Sequence, residues 1–365
     1  MPEPLRSVLS EAFPGNAARL REYHGALLPE YYSDAISEHR TVRNAAGLFD
    51  ASFRVLISAG GNDRVRFLHG MVSNDVRGLA AGQGTYATLL DTRGHILADL
   101  VIYCAHDCFL IETHADLADK VLQTLNHYNI GGRVPLARLD LAALLVQGPK
   151  SGLIVKQSLG AELPGREEFC HAELAFSGQP LRIARVSTTG EEGCELWIAP
   201  AGVKALWNAL LDGGGKHGLI ACGVQALETL RIEAGTPAYG SELGEDVMPL
   251  EADLLKALSF TKGCYVGQEI VERTRSRGHV NWKLIGFWIR ADQPPAPGEK
   301  LLAAGKEVGE LTSACWSPSL ARVIALGYAR REFAEPGTAL TLPSGAVAEA
   351  TPVPFYRHDP SLPSD

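Results

Sequence analysis

The chain has 365 residues, 46% of them apolar and 21% charged, which is ample for buried cores and suggests roughly two to three domains. Its formal net charge of −8 argues against nonspecific nucleic-acid binding, and 38 glycines with 21 prolines are too few for a collagen-like or disordered chain. No apolar run approaches the roughly 18 residues of a membrane span. Met1–Leu9 has no basic stretch leading into an apolar one, so a soluble, cytoplasmic protein is expected.

In chain order, the opening residues look helical and polar until Leu27–Tyr32 breaks the pattern. Ser37–Ala46 predicts a helix ended by Gly47. A short strand follows at Val55–Ile57, then a helix capped by Asn62 or Asp63 with Val65 and Leu68 on its apolar face. Gln83–Leu90 and Ile96–Tyr103, joined by Asp91-Thr92-Arg93-Gly94, read as a hairpin. Cys108–Glu112 adds a strand and Asp116–Leu125 a helix. Leu141–Gly148 reads as a hand-over between two units. Beyond it come a helix, strands at Leu181–Val186 and Glu195–Ile198, and a helix at Val203–Leu211. A Gly213-Gly214-Gly215 loop and a helix at Cys222–Glu233 complete that part. From Trp282 onward, short strands at Leu284–Ile289, Leu301-Leu302, Glu307–Leu311, Val323–Tyr328 and Ala339–Leu342 predict an all-β unit, and Asp359–Asp365 looks frayed. The expected class is α+β followed by β.

Four segments carry candidate chemistry. Seven scattered cysteines (104, 108, 170, 194, 222, 264, 315) form no CxxC pair and no metal or cluster set, so no metal is expected. Six of them read as small apolar residues of a reducing compartment. Cys264 differs, because Lys262-Gly263-Cys264-Tyr265-Val266-Gly267 predicts a tight turn beside positive charge. It is either a reactive thiol with a lowered pKa or a structural cysteine in a Gly turn. Arg273, Arg275 and Arg277, with Lys262 nearby, would form an anion-binding strip if extended, or merely a solvated face.

Glu195 and Trp197 share one face of a strand, where a carboxylate beside an aromatic suits the paired N–H edge of a pterin or guanine. Asp99 interrupts the apolar run Ile96–Ile102 and shares a face with Tyr103, with Tyr86 on the facing strand. Burial there would raise the Asp99 pKa toward acid–base use, unless an arginine pairs with it. Arg231, at the end of its helix, either reaches a ligand carboxylate or pairs with Glu233 or Glu242.

Taken together, these segments resemble the folate-binding family that contains the glycine-cleavage T-protein, an aminomethyltransferase. The matching stretches are Ala46–Asp50, Ser73–Val76, Asp99–Tyr103, Gln147-Gly148-Pro149, Thr189–Glu195, Leu230–Gly235, Gly309–Ser313 and Pro354-Phe355-Tyr356. Within it, Lys262–Glu269 and Arg277-Gly278 look like the YgfZ branch, whose members support assembly or repair of iron–sulfur enzymes, including tRNA-modifying ones.

The resemblance implies a three-domain cloverleaf with two α/β-sandwich domains, a C-terminal β-barrel and tetrahydrofolate in a central channel. The expected division is 1–145 with 218–281, then 146–217, then 282–365. It implies that Glu195 grips the pterin, that Tyr86 and Tyr103 line the folate site, and that Asp99 lies near the nitrogen receiving the one-carbon unit; Trp197 beside Glu195 and Arg231 at its helix end are candidate folate contacts from their own positions. Cys264 would be the working thiol in support of iron–sulfur client proteins; the alternative is a one-carbon transferase using Asp99. Departures are Ala98 in place of a second aspartate, Leu227 in place of an arginine, and Ser52-Phe53-Arg54 in place of Ser-His-Met.

Overall fold

Strand alternation puts every second side chain on the same face of a sheet, and in this protein that rule sorts helix-covered cores from a shared layer. The structure is a computed structural model that describes residues 3–9, 19–276 and 278–357. A five-stranded antiparallel sheet runs in the order Gly84–Leu90, Ile96–Cys104, Phe109–His114, Arg54–Ala59, Leu136–Arg138. On Ile96–Cys104, Ala98, Leu100 and Ile102 pack into a core with Leu68 and Met71 of the helix Arg64–Met71 and Val121 and Leu125 of the helix Ala118–Tyr128. Val101 and Tyr103 face the other way.

A six-stranded mixed sheet runs His171–Phe176, Gln179–Arg185, Gly193–Ile198, Ala142–Gln147, Ala46–Asp50, Leu219–Ala221. On Gly193–Ile198, Cys194, Leu196 and Ile198 pack in a core with the helices Ser151–Leu159 and Pro200–Gly214, while Trp197 faces away. Trp197, Leu145 and Ala184 from this sheet and Val101 and Tyr103 from the other meet in one buried layer, closed by the helix Val224–Glu233. The C-terminal strands close into a six-stranded barrel, Trp282–Arg290, Arg322–Arg330, Lys306–Ser317, Lys300–Ala303, Ala339–Thr341, Val347–Thr351. Among the described residues no helix is long and apolar enough to cross a membrane.

The structure corrects several expectations. The opening is extended where described: Leu5–Arg6, Leu20–Tyr23 and Ala26–Pro29 form a three-stranded sheet. Helix Ala35–Asn44 is capped by Asp34, which accepts from the Ser37 amide at 2.8 Å, and it ends before Gly47. Gly47 instead lies in a strand so closely packed that a Cβ would sit 2.7 Å from Val42 Cγ2 and 2.8 Å from Cys222 Sγ. The run from Leu141 to Gly148 contains an inner strand, Ala142–Gln147, paired on both sides. Gly213 and Gly214 continue a helix because their bare faces let Ser158 and Leu219 pack close. Asp359–Asp365 lies outside the described residues.

One buried network fastens the barrel to the helix Val224–Glu233 and the loop that follows it. Arg231 is buried, and its guanidinium donates to Glu228 from Nε at 2.9 Å and also from Nη2. Nη1 reaches Glu242 at 2.9 Å and the Thr236 carbonyl at 3.1 Å, and Nη2 reaches Ser313 Oγ, on a barrel strand, at 2.8 Å. All five N–H donors of an arginine are thereby used. Replacing Arg231 by Met strands the buried Glu242 carboxylate. Stability should fall by about 3–5 kcal/mol in urea unfolding; a loss below about 1 kcal/mol, the scale of a surface pair, contradicts this account.

Candidate functional site

A cavity of about 600 Å³ opens off the shared layer, lined by strands of the five-stranded sheet, by the loop residues Phe169 and Val186–Thr188 next to strands of the six-stranded one, and by the helix end at Arg231–Ala238. Tyr86, Asp99 and Val101 reach it from the hairpin, Glu112 and His114 from the next strand, and Arg54 from the strand paired with that one. A second hollow of about 760 Å³ lies between the helix Ala35–Asn44 and the barrel, and none of the candidate residues lines it.

The hairpin brings Tyr86 against Asp99: the phenol donates to Oδ2 at 3.2 Å, while the buried Oδ1 has no partner. Burial raises the Asp99 pKa, opposed by the charge of Arg54 and by the Tyr86 hydrogen bond. Burial also lifts Tyr86 well above the usual phenol range, with Asp99 adding to it. Glu112 is held by Arg54 Nη1 at 3.1 Å and by the Tyr103 hydroxyl at 2.9 Å, and burial raises its pKa nonetheless.

Glu195 is fully buried and neither carboxylate oxygen has a partner. Burial pushes it well above the ordinary range, Glu112 pushes the same way, and Arg54 opposes both. Trp197 stands edge-on to Tyr103, with ring centroids 5.5 Å apart. Glu195, Tyr103 and Trp197 do not themselves line the cavity; Arg54 and Glu112 do. As the side chains stand, a ring in the cavity has no open contact with Glu195, and Arg54 and Glu112 are the lining groups whose charges act on it.

Among the described residues the segment is not extended, and the cation strip expected on that condition does not form. Residues Gln268–Ser276 are a helix, so Arg273 and Arg275 point differently: Arg273 pairs with Glu269 at 2.7 Å, and Arg275 lies near Glu272 and over the Phe260 ring. Arg277 lies outside the described residues. Lys262 is buried, and its Nζ donates to the carbonyls of His69 and Val72 at 2.6 Å and of Asn74 at 2.9 Å. It closes the C-terminal end of the helix Arg64–Met71 rather than offering charge to an anion; burial lowers it to about 8. Arg231 lines the cavity, yet the network described above takes all its donors. Cys264 is exposed, in the loop before the helix Gln268–Ser276, and is absent from the cavity lining.

Residue-level reading missed Arg54, Glu112, His24 and His114. Glu112 carried the same signal as Asp99, a carboxylate ending an apolar run, Phe109-Leu110-Ile111. Arg54 became meaningful only once its strand paired with Phe109–His114. Because Arg54 is the cation opposing the upward shifts of Asp99, Glu112 and Glu195, Arg54→Met should raise the Asp99 and Glu112 carboxyl titrations further. Carbon-13 NMR of the labelled carboxyls reads this directly; titrations that stay put would remove Arg54 from the site's electrostatics.

Comparison with known proteins agrees with this architecture. Residues 9–262 match the GCVT N-terminal domain, and residues 283–357 match the glycine cleavage T-protein C-terminal barrel domain. An aminomethyltransferase of Streptomyces avermitilis is 32% identical over 97% of this chain and 98% of its own length. One from Bacillus subtilis is 30% identical over 96% and 99%. The crystal structure of the glycine cleavage system aminomethyltransferase T from Bartonella henselae superposes with a TM-score of 0.87 at 26% identity, covering 96% of this chain and 98% of that one. By architecture and by sequence, the chain belongs to the glycine cleavage T-protein family.

Proposed function

We propose that this protein moves a one-carbon unit to or from tetrahydrofolate, as an aminomethyl- or methyltransferase, with Asp99 serving the folate nitrogen. The family uses tetrahydrofolate, and the relatives compared above are named aminomethyltransferases. The observation that carries the reading is Asp99: a carboxyl in the cavity wall, oriented by Tyr86, with one oxygen unpartnered and its pKa raised by burial.

Such a group can hold or take a proton at Oδ1 as the one-carbon unit changes its bonding to nitrogen. The Tyr86 hydroxyl fixes the carboxyl plane, so the free oxygen needs little reorganisation at the moment of transfer. Glu195 supports the folate assignment. Its two orphaned oxygens fit the paired N–H donors of a pterin edge, and a buried carboxylate left without donors is costly. Lys256 lines the cavity from an exposed position and would meet the folate tail carboxylates in place of Lys262.

Incubation with tetrahydrofolate and a methylamine-type donor should yield a one-carbon folate. Asp99→Asn should cut the rate by about 10²–10⁴-fold while folate binding stays within a few-fold. Glu195→Gln should weaken folate binding about ten- to a hundred-fold. Full activity in Asp99→Asn, or no transfer from any donor by the unaltered chain, would overturn the proposal.

A second reading rests on Cys264, the one exposed residue among seven free cysteines. Its segment, Lys262–Glu269, resembles the YgfZ branch, and the reading is support of iron–sulfur proteins by that thiol. A limiting alkylating reagent should then label Cys264 ahead of the other six, as read by mass spectrometry, and tetrahydrofolate should slow the labelling. An unlabelled Cys264 in folded protein leaves the transferase reading alone.

A further inference from the structure

The cavity edge holds a cluster that the transfer reading leaves unused. His24 and His114 both line the cavity, their rings stacked with centroids 3.9 Å apart, and Asp116 lies beside them. One ligating atom from each of the three falls within 4.8 Å of the others. His114 is only 5% exposed, and its buried Nδ1 has no hydrogen-bond partner.

The backbone goes to some length to build this cluster. Leu20–Tyr23 and Ala26–Pro29 are joined by His24 and Gly25, with φ of +47° and +81°. Positive φ at both residues marks the two-residue hairpin turn that ordinarily carries Asn-Gly or Asp-Gly. A non-glycine residue at positive φ is uncommon, though histidine is among the side chains that tolerate it, and this one stacks on His114. Gly25 lets the turn seat on the neighbouring strand end, where an added Cβ would lie 2.7 Å from the Asp116 amide nitrogen.

We propose that His24, His114 and Asp116 bind a divalent transition-metal ion, with Zn²⁺ as the representative, leaving a coordination position open to the cavity. Two imidazoles and a carboxylate are a donor set that Zn²⁺ and its neighbours accept, with metal–ligand distances of roughly 2.0–2.2 Å. Those distances bring the donors to within about 3–3.5 Å of one another. An ion lies in the plane of each imidazole that binds it, and the stacked rings offer no shared in-plane point, so His24 turns out of its stack on the buried His114 and the exposed Asp116 side chain closes in with it. Arg54 and Arg231 carry opposing charge nearby. Glu228 beside His24, and Asp99 and Glu22 beside Asp116, offset it. The site stands on these three side chains and does not depend on the folate reading.

The test is a Zn²⁺ titration of the full chain after chelator treatment, without folate, together with Co²⁺ loading to read ligand-field bands. The unaltered protein should take up one Zn²⁺ per chain, and His24→Asn should weaken it at least about tenfold, on the scale of losing a well-made metal contact. Asn suits the turn, so this variant keeps the fold; an unchanged apoprotein melting curve verifies that. Asp116→Asn should weaken binding likewise and His114→Ala should abolish the Co²⁺ bands. No stoichiometric uptake by the unaltered chain overturns the proposal. So does uptake that survives both His24→Asn and Asp116→Asn; its loss when Cys264 is blocked would show that the ion sits on thiolate instead.

Discussion

Three carboxyl groups, Asp99, Glu112 and Glu195, face the guanidinium of Arg54 in a layer between two sheets where burial penalises every charge. A single cation does not offset the burial of three carboxylates, so burial pushes all three upward, and the charge of Glu112 pushes Glu195 further the same way. The strand alternation that fills the helix-covered cores with Ala98, Leu100, Ile102, Cys194, Leu196 and Ile198 is what leaves the polar groups on the shared face. That face is stable only because its remaining positions, Val101, Tyr103, Leu145, Ala184 and Trp197, are fully apolar or aromatic and close-packed.

The network at Arg231 shows the opposite design. There Glu228, Glu242, Ser313 and the Thr236 carbonyl consume every donor. A similar group gathers at Glu233, which receives His39 at 2.9 Å, Arg43 and Ser317 and is thereby held below the usual carboxylate range. Arg231 has every donor used, and such satisfied groups fix a structure, whereas unpartnered buried carboxylate oxygens facing a cavity region are places where a ligand can complete the count. By that criterion the Arg231 contact is architecture, and the layer containing Asp99 and Glu195 is where the proposed folate site belongs.

Much of the fold was legible because its strands alternate cleanly. The hairpin Gly84–Leu90 with Ile96–Cys104 shows the period and the turn residues together, and the barrel announces itself by short strands and Gly/Pro turns. Leu20–Tyr23 escaped because it is largely exposed and lacks an apolar stripe, whereas His171–Phe176 does carry one, Ala172, Leu174 and Phe176, only partly buried against the core and short enough to be passed over. The Arg273 and Arg275 alternation suggested a strand, but Glu269–Arg273 and Glu272–Arg275 are helix pairs at i,i+4 and i,i+3, and helix geometry prevailed. Asp99 could be singled out because a carboxylate in an apolar run is conspicuous. Arg54 and His24 could not, since their meaning comes from strands and turns brought together by the fold. Lys262 and Arg231 were conspicuous charges whose partners turned out to be the protein's own carbonyls and carboxylates.

The transfer account rests on the cavity lining rearranging so that the folate ring meets Glu195 while its one-carbon nitrogen faces Asp99. The most direct measurement is a crystal structure of the protein with tetrahydrofolate bound. The account predicts the pterin amino group and ring N–H on the Glu195 carboxylate and a folate nitrogen within hydrogen-bond reach of Asp99 Oδ1. Folate bound elsewhere, or bound in the cavity with Glu195 still unpartnered and Asp99 out of reach, would contradict it.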